Sequence, residues 1–435
     1  MNRKLSSALD TKDLSLTIYN GGFGAVKELR TVNLDGSETE LIYADVAQLI
    51  ETDSLLTEGL VIQEFNYEYD LVGRGKLLQK YLGQEVFLKD RKTGERRLCK
   101  LLAAEGETGC VLENCETREI YVDSGDELIL PSLPAGLLVK PALIWKIEPA
   151  KAETIKVSYL SKGFNWQANY VVELEKDTLN IVGWAQIENE SGTTFPDARI
   201  KLIAGDVNRV EDDFADRVIY NKLMSSAAPA AEEKSFFEYH MYTLRQPTTL
   251  KNNQSKQICL LSAAAIPYQK HFEFDQYTEK AEVVIEFANR KASGLGLPFP
   301  KGKVKLDQAD AADGSLEFIG EDELDHTPVD EVIKLVIGNA FDITFEYIEL
   351  NHRKIAGFEH FTYEVKINNH RDESADIRFR HYMNGNWEMV SASHDFKQKD
   401  SWKVEFSLPV KADTEEKVRF EYKIDVRKEV IIGRG

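Results

Sequence analysis

The sequence predicts an all-β protein of several domains: β-sandwich regions with a small SH3- or Sm-like barrel inserted between their strands. Three observations carry this. Apolar and polar residues alternate over long stretches, most cleanly from Trp402 to Val410 and from Val418 to Val426. Successive strand side chains point to opposite faces, so this pattern builds sheets with one buried and one solvated face. Helical periodicity is scarce, Asp45 to Ser54 and Arg74 to Leu82 being the only candidates. Polar and glycine-containing turns punctuate the chain at the short intervals that strands require.

The elements follow in order. Residues 1–81 open with the strand Leu14 to Tyr19, the turn Asn20-Gly21-Gly22-Phe23-Gly24 and a second strand, Ala25 to Leu34. A third, Leu60 to Tyr69, completes a segment expected to pair with strands further along. From 82 to 130 the strands shorten, with Glu85 to Lys89 and Arg97 to Ala103 flanking Asp90-Arg91-Lys92-Thr93-Gly94. Four or five strands in so few residues predict the small inserted barrel. Residues 131–222 return to long strands, among them Ala142 to Ile147, Thr154 to Tyr159, Asn169 to Leu174 and Leu179 to Glu188. The Ala/Pro/Glu-rich stretch 223–235 reads as a flexible linker. Residues 236–435 form the C-terminal sandwich region, closed by a hairpin of the two alternating runs around the turn Lys411 to Lys417. Asn189, Asn289 and Asn369 each end an alternating strand and open a polar loop. Asparagine tolerates left-handed backbone and caps turns, so it suits such an exit.

Charge narrows the partners. With 54 basic and 73 acidic residues the net charge is −19, a field that repels phosphate backbones and anionic lipid headgroups. Nucleic acid is therefore not an expected partner. The basic hairpin residues Lys89, Arg91, Lys92, Arg96 and Arg97 are the one local exception. No apolar run approaches the ~18 residues a membrane helix needs, and no apolar stretch follows the basic start, so a cytoplasmic protein without membrane insertion is expected. Cys99, Cys110, Cys115 and Cys259 lack zinc-ligand spacing, and read as small buried hydrophobes.

Catalytic signatures are missing. The glycine turn at Asn20 lacks the dinucleotide fingerprint, and Gly73-Arg74-Gly75-Lys76 lacks P-loop spacing. The acidic stretch Asp307 to Glu331 lacks the EF-hand order of ligands, and reads as a solvated sheet edge. None of the eight histidines lies in a His-Glu-x-x-His, and no Gly-x-Ser-x-Gly occurs. No cofactor and no metal are expected. Phe236-Phe237-Glu238-Tyr239-His240-Met241-Tyr242 is the densest aromatic cluster, and suits either a doubly buried strand or a partner patch.

Several phrases together resemble the mucoidy-inhibitor-A-like family, whose shared region is known as a domain of unknown function. They are Ser161-Lys162-Gly163-Phe164-Asn165-Trp166, Glu188-Asn189-Glu190-Ser191-Gly192, Pro300-Lys301-Gly302-Lys303-Val304, His326-Thr327-Pro328, Gly338-Asn339-Ala340-Phe341-Asp342 and Gly385-Asn386-Trp387. The match runs from about Trp145 to the C-terminus. The family typically carries a coiled-coil insertion that this chain lacks, the small barrel standing where extra material is expected. The resemblance implies a link to cell-envelope or exopolysaccharide regulation and supplies no catalytic residues.

The leading reading is a non-enzymatic binding or scaffold protein presenting loops to a protein or glycan partner. The alternative is a hydrolase of carbohydrate or peptide, using carboxylates and His240 or His326 gathered from several strands. The candidate partner contacts are Tyr239, His240, Tyr242, His326 and Asp342, with catalytic residues unassigned.

Overall fold

Nearly every regular element is a strand, arranged in several sheets. A computed structural model describes residues 2–69, 74–105, 109–122, 126–132, 140–205, 231–236, 239–310 and 312–427, with backbone only at 105, 231–236 and 239. Residues 223–230 of the linker expectation lie outside these, while Ala231–Phe236 is a strand paired antiparallel with Tyr239–Leu244. No described helix is long and apolar enough to cross a membrane.

The chain divides into two compact units, the first comprising Met1–Trp166, Glu188–Ile203 and Gln246–Lys256. One of its sheets orders the strands Arg3–Ser6, Glu40–Ala44, Ala142–Ile147 and Ile62–Glu68. Another pairs Thr11–Tyr19 with Phe23–Asp35, which in turn pairs with Lys151–Lys162. The Asn20 glycine segment is thus the turn of a hairpin. No helix spans 45–54. That segment instead leads into the strand Ile50–Glu58, paired with Lys151–Lys162. β-Pairing of its backbone overrides a local pattern too short to nucleate a helix.

The core of this unit contains a fully buried cation. Arg30 is 0% exposed. Its Nη1 donates to the Ala44 carbonyl at 2.7 Å, and its Nη2 lies 2.6 Å from Glu28 Oε2. The Tyr43 hydroxyl donates to the same carboxylate, and the Arg30 guanidinium stands 3.8 Å above the Tyr43 ring. Burial alone would lower the Arg30 pKa, but Glu28 and the two nearby tyrosines, Tyr43 and Tyr159, raise it overall. Tyr43 also stacks on Trp145 with centroids 4.9 Å apart.

Residues 85–129 form a separate five-stranded antiparallel sheet, with Glu85–Lys89, Arg96–Glu105 and Gly109–Asn114 at its centre. Leu78, Tyr81, Val86, Leu88, Cys99, Leu101 and Leu112 are its core. Leu78 belongs to the helix Arg74–Lys80, the helix expected at Arg74. The Tyr81 hydroxyl donates to the Ser132 carbonyl at 2.7 Å, tying entry to exit. Among the described residues no pairing joins the two edge strands, Ile120–Val122 and Glu127–Ile129.

The second unit comprises Gln167–Ile187, Ala204–Arg245 and Gln257–Gly435. Toward the C-terminus, Gln254–Asp275, Ala375–Tyr382, Lys403–Val410 and Phe396–Asp400 are consecutive neighbours in a large sheet. A four-stranded sheet, ordered Ile343–Ile355, Phe358–Asn369, Thr414–Asp425 and Trp387–Ala392, supplies the other side of a shared core. Phe274, Ile377, Phe379, Val404 and Phe406 from the first meet Val365, Ile367, Val418 and Phe420 from the second.

This corrects the closing hairpin. Lys403–Val410 pairs with Ala375–Tyr382, while Thr414–Asp425 pairs with Phe358–Asn369. The two alternating runs lie in different sheets, with their apolar faces turned toward one core. The turn between them, where Asp413 adopts φ 48°, crosses the sandwich instead of folding a strand back on its neighbour.

The three asparagines proved to be buried clamps with one design. Asn189 donates to Thr193 O at 2.9 Å and Leu250 O at 3.2 Å. Asn289 donates to Leu297 O at 2.8 Å and Pro328 O at 2.9 Å. Asn369 donates to Glu373 O at 2.9 Å, Val410 O at 3.1 Å and Lys411 O at 3.0 Å. Each side-chain oxygen in turn accepts a backbone N–H of its own loop. Every clamp joins a loop to the end of a distant segment and satisfies carbonyls that burial would otherwise strand. Asn369→Ala is expected to cost about 1–3 kcal/mol, because it leaves buried carbonyls without a donor. Urea denaturation of the variant beside the parent protein checks this, and an unchanged midpoint would show that water replaces the amide.

Candidate functional site

The core of the C-terminal sandwich changes character along its length. Its middle is a stack of phenylalanines: Phe274 on Phe345 at 3.9 Å, Phe379 on Phe406 at 4.6 Å, and Phe406 beside Phe420 at 5.2 Å. One step further along the same strands the inward positions become Tyr347, Tyr363, His381 and Tyr422. The His381 ring lies 5.0 Å from Tyr363, 5.1 Å from Phe420 and 5.4 Å from Tyr422.

Hydrogen bonds organise this polar aromatic floor. His381 Nδ1 bonds the Tyr347 hydroxyl. The Tyr363 hydroxyl donates to Glu349 Oε2 at 2.8 Å, and the Tyr363 ring stacks on Tyr422 with centroids 6.1 Å apart. His381 is 2% exposed, and its Nε2 is a buried polar atom with no hydrogen-bond partner. Burial pushes the His381 pKa down to about 4 and that of Tyr422 up to about 12. Tyr347 and Tyr363 are likewise raised, chiefly by burial. At neutral pH the floor therefore carries an uncharged imidazole and protonated phenols.

A rim of more accessible rings surrounds it. The turn after Gln254–Asp275 is held by Asp275 Oδ1, which accepts from Tyr277 N at 2.7 Å and Thr278 N at 3.0 Å. Gln276 clasps the backbone of Tyr382 through both its amide nitrogen, at 3.0 Å, and its amide oxygen, at 2.8 Å. This leaves Tyr277 74% exposed, its ring 5.9 Å from Tyr382. Lys403 Nζ stands 5.6 Å above the Tyr382 ring. Trp387 donates from Nε1 to the Ser401 carbonyl at 2.6 Å, and the residue after Ser401, Trp402, is 64% exposed. Trp402, expected as the first core residue of its strand, instead precedes Lys403–Val410.

The same large sheet carries an ionic cluster on its other face. Glu273 accepts from Arg380 Nη1 and Nη2 at 2.9 Å each, from Lys334 at 2.5 Å, and bonds His271 Nε2 at 2.8 Å. Glu405 meets Arg380 at 3.0 Å and Lys399 at 2.9 Å. Burial opposes ionisation of Glu273, yet these donors hold its carboxyl well below the usual range. His271, Glu273 and Glu286 bring three metal-type donors within 4.8 Å of one another. Glu273 is nevertheless neutralised by Arg380 and Lys334, and Glu286 by Arg378 at 2.9 Å. A divalent cation would have to displace these charges, so the cluster is a cross-strand ion-pair ladder. The acidic stretch 307–331 contributes no such donor group among the described residues.

The residues singled out from sequence fall elsewhere. Tyr239 and His240 lie in the strand Tyr239–Leu244, His240 half-buried opposite Ser235. The side chain of Tyr239 lies outside the described residues. Tyr242 is buried and donates to the Pro298 carbonyl at 3.0 Å. His326 Nδ1 accepts from the Lys301 amide at 3.0 Å. Phe299 and Thr327 exchange backbone hydrogen bonds between these contacts. Tyr242 and His326 thus hold one segment, Pro298 to Lys301, from two points. Asp342 is exposed and lends its backbone carbonyl to the His370 amide at 2.9 Å.

The loop after Asn369 lies at the opposite end of the sandwich from the aromatic rim. Asn369 grips Val410, the last residue of Lys403–Val410, while Trp402 precedes the first. Eight residues at about 3.3 Å each separate those ends by roughly 25 Å. His352 and His360 do not share a strand, because Ala356 and Gly357, both at positive φ, turn the chain between them. His352 stacks on Phe361 at 4.2 Å, and His360 bonds Glu421 at 2.8 Å. A signal for the aromatic end was present in Tyr347, Phe361, Tyr363 and Tyr422, which share parity with core residues of their strands. Comparison with protein-family models gives no match to this chain, and comparison with curated proteins gives none either.

Proposed function

We propose that this is a non-enzymatic binding protein that holds its partner at the aromatic end of the C-terminal sandwich. The observation that carries this is the exposure of Tyr277 and Trp402 beside a floor of uncharged hydroxyls and imidazole. Exposed rings grouped in one patch, unlike rings scattered singly, mark interaction sites, and Tyr and Trp dominate the energetic centres of interfaces. The floor is suited to binding rather than nucleophilic attack. A phenol raised to about 12 is not a nucleophile at neutral pH, and a His381 with its pKa near 4 is a weak base. The resemblance to the mucoidy-inhibitor-A-like family agrees with a role in envelope or exopolysaccharide regulation, carried out by binding a glycan or a protein.

Arrays of glycans and peptides probed with the protein and with a Tyr277→Ala/Trp402→Ala variant test the proposal. Loss of the specific signals in the variant, with circular dichroism unchanged, is the expected result. A variant that retains every signal would move the binding surface elsewhere, and turnover of an arrayed substrate would favour the hydrolase.

A further inference from the structure

We infer, building on that binding reading, that the occupant of the aromatic end is an uncharged oligosaccharide. Rings present a negative π face and a positive edge. The slightly positive C–H face of a pyranose therefore complements Tyr277, Tyr382, Trp387 and Trp402, which the rim offers at different depths. Sugar hydroxyls both donate and accept, and need neighbours that can do the same. Glu349 supplies an exposed acceptor at the rim. The half-buried Tyr363 hydroxyl, which donates to Glu349, keeps lone pairs that can accept from a sugar hydroxyl, while Tyr422 and His381 are buried.

Charge selects among ligands. The net charge of −19 opposes phosphorylated, sulfated or uronate-containing glycans, and the cation at this end, Lys403, is already paired with Asp400 at 3.3 Å. A quaternary ammonium or lysine partner would seek an electron-rich ring face, but Lys403 already stands over Tyr382 at 5.6 Å. An uncharged ligand meets neither obstacle.

Isothermal titration calorimetry of the full chain decides the matter, with cellohexaose, maltohexaose and N-acetylchitohexaose as neutral probes. Choline serves as the cationic probe and a galacturonate hexamer as the anionic one. Saturable binding of a neutral hexamer is expected, weakened about tenfold by Tyr277→Ala and by Trp402→Ala, the loss of one aromatic contact of roughly 1.4 kcal/mol. Both side chains are exposed, so melting curves should show the variants folded. Three silent neutral hexamers at millimolar concentration overturn the saccharide assignment, as does a hexamer bound equally by both variants. Choline binding that disappears in Tyr277→Ala would overturn the saccharide while leaving the aromatic end as a ligand site. Silence from every probe, with arrays unchanged in the double variant, would remove both.

Discussion

Glu28→Gln is expected to destabilise the first unit by about 3–5 kcal/mol, the cost of removing one partner from a buried ion pair. Arg30 is wholly enclosed, and its charge is answered at close range by the Glu28 carboxylate, the Ala44 carbonyl and the face of Tyr43. Glutamine keeps the shape and removes the compensating charge, so the guanidinium would remain in a medium that solvates it poorly. Its Nε already has no hydrogen-bond partner, which leaves little local capacity to make up the loss. Hydrogen exchange of amides in Phe23–Asp35 reads this unit without interference from the other. Exchange unaltered by the substitution would mean that the Tyr43 ring and the Ala44 carbonyl suffice. Arg30→Met/Glu28→Leu removes both charges and should be far milder, since an apolar pair of similar volume leaves nothing unsolvated.

Lowering the pH from 6.5 to about 4 is expected to remove about 3 kcal/mol from the C-terminal sandwich through His381 alone. An unfolded histidine takes up its proton near 6.5, whereas burial among Tyr347, Tyr363, Phe420 and Tyr422 delays this to about 4 in the folded protein. Between those values the unfolded chain binds more protons, so stability is complete above 6.5 and declines as pH falls. The difference, 6.5 − 4 = 2.5, converts at about 1.36 kcal/mol per unit. Glu273 and Glu405 have depressed values, so their contribution holds above about 4.5 and is lost below it. Urea unfolding between pH 4.5 and 6.5 therefore isolates most of the histidine effect. The slope should flatten in His381→Phe, and an equally steep slope in that variant would assign the effect to another group.

The strand character of the chain was legible because alternation is a local property. Phe406 and Phe420 could be assigned to buried faces from parity, and both are core residues. The glycine turn at Gly22 was legible because few other residues accept its left-handed backbone, φ 81°. Parity marked Tyr347, Tyr363 and Tyr422 as core-facing, but nothing in the sequence showed that they meet. Tyr277, Tyr347, Tyr363, His381, Tyr422 and Trp402 come from six segments, and in sequence each passes for an ordinary strand or turn residue. The dense run Phe236 to Tyr242 attracted attention because its aromatics are contiguous. Its Tyr242 serves as a clasp on the Pro298 carbonyl.

Alternation and composition alone established that the chain is built of sheets, which parity faces a core in strands such as Lys403–Val410 and Thr414–Asp425, and that the net charge is negative. Which strands are neighbours is set by packing and pairing between distant parts of the chain. Parity specifies a face, but one apolar face is compatible with many partners. The runs before and after Lys411 therefore read equally well as a hairpin or as opposite walls of a sandwich. Packing settled it: the shared interior holds Phe379, Phe406 and Phe420 in contact across two sheets. Where that interior reaches the surface, the same strands bring His381 and the tyrosines together, an arrangement that depends on pairing between residues far apart in the chain.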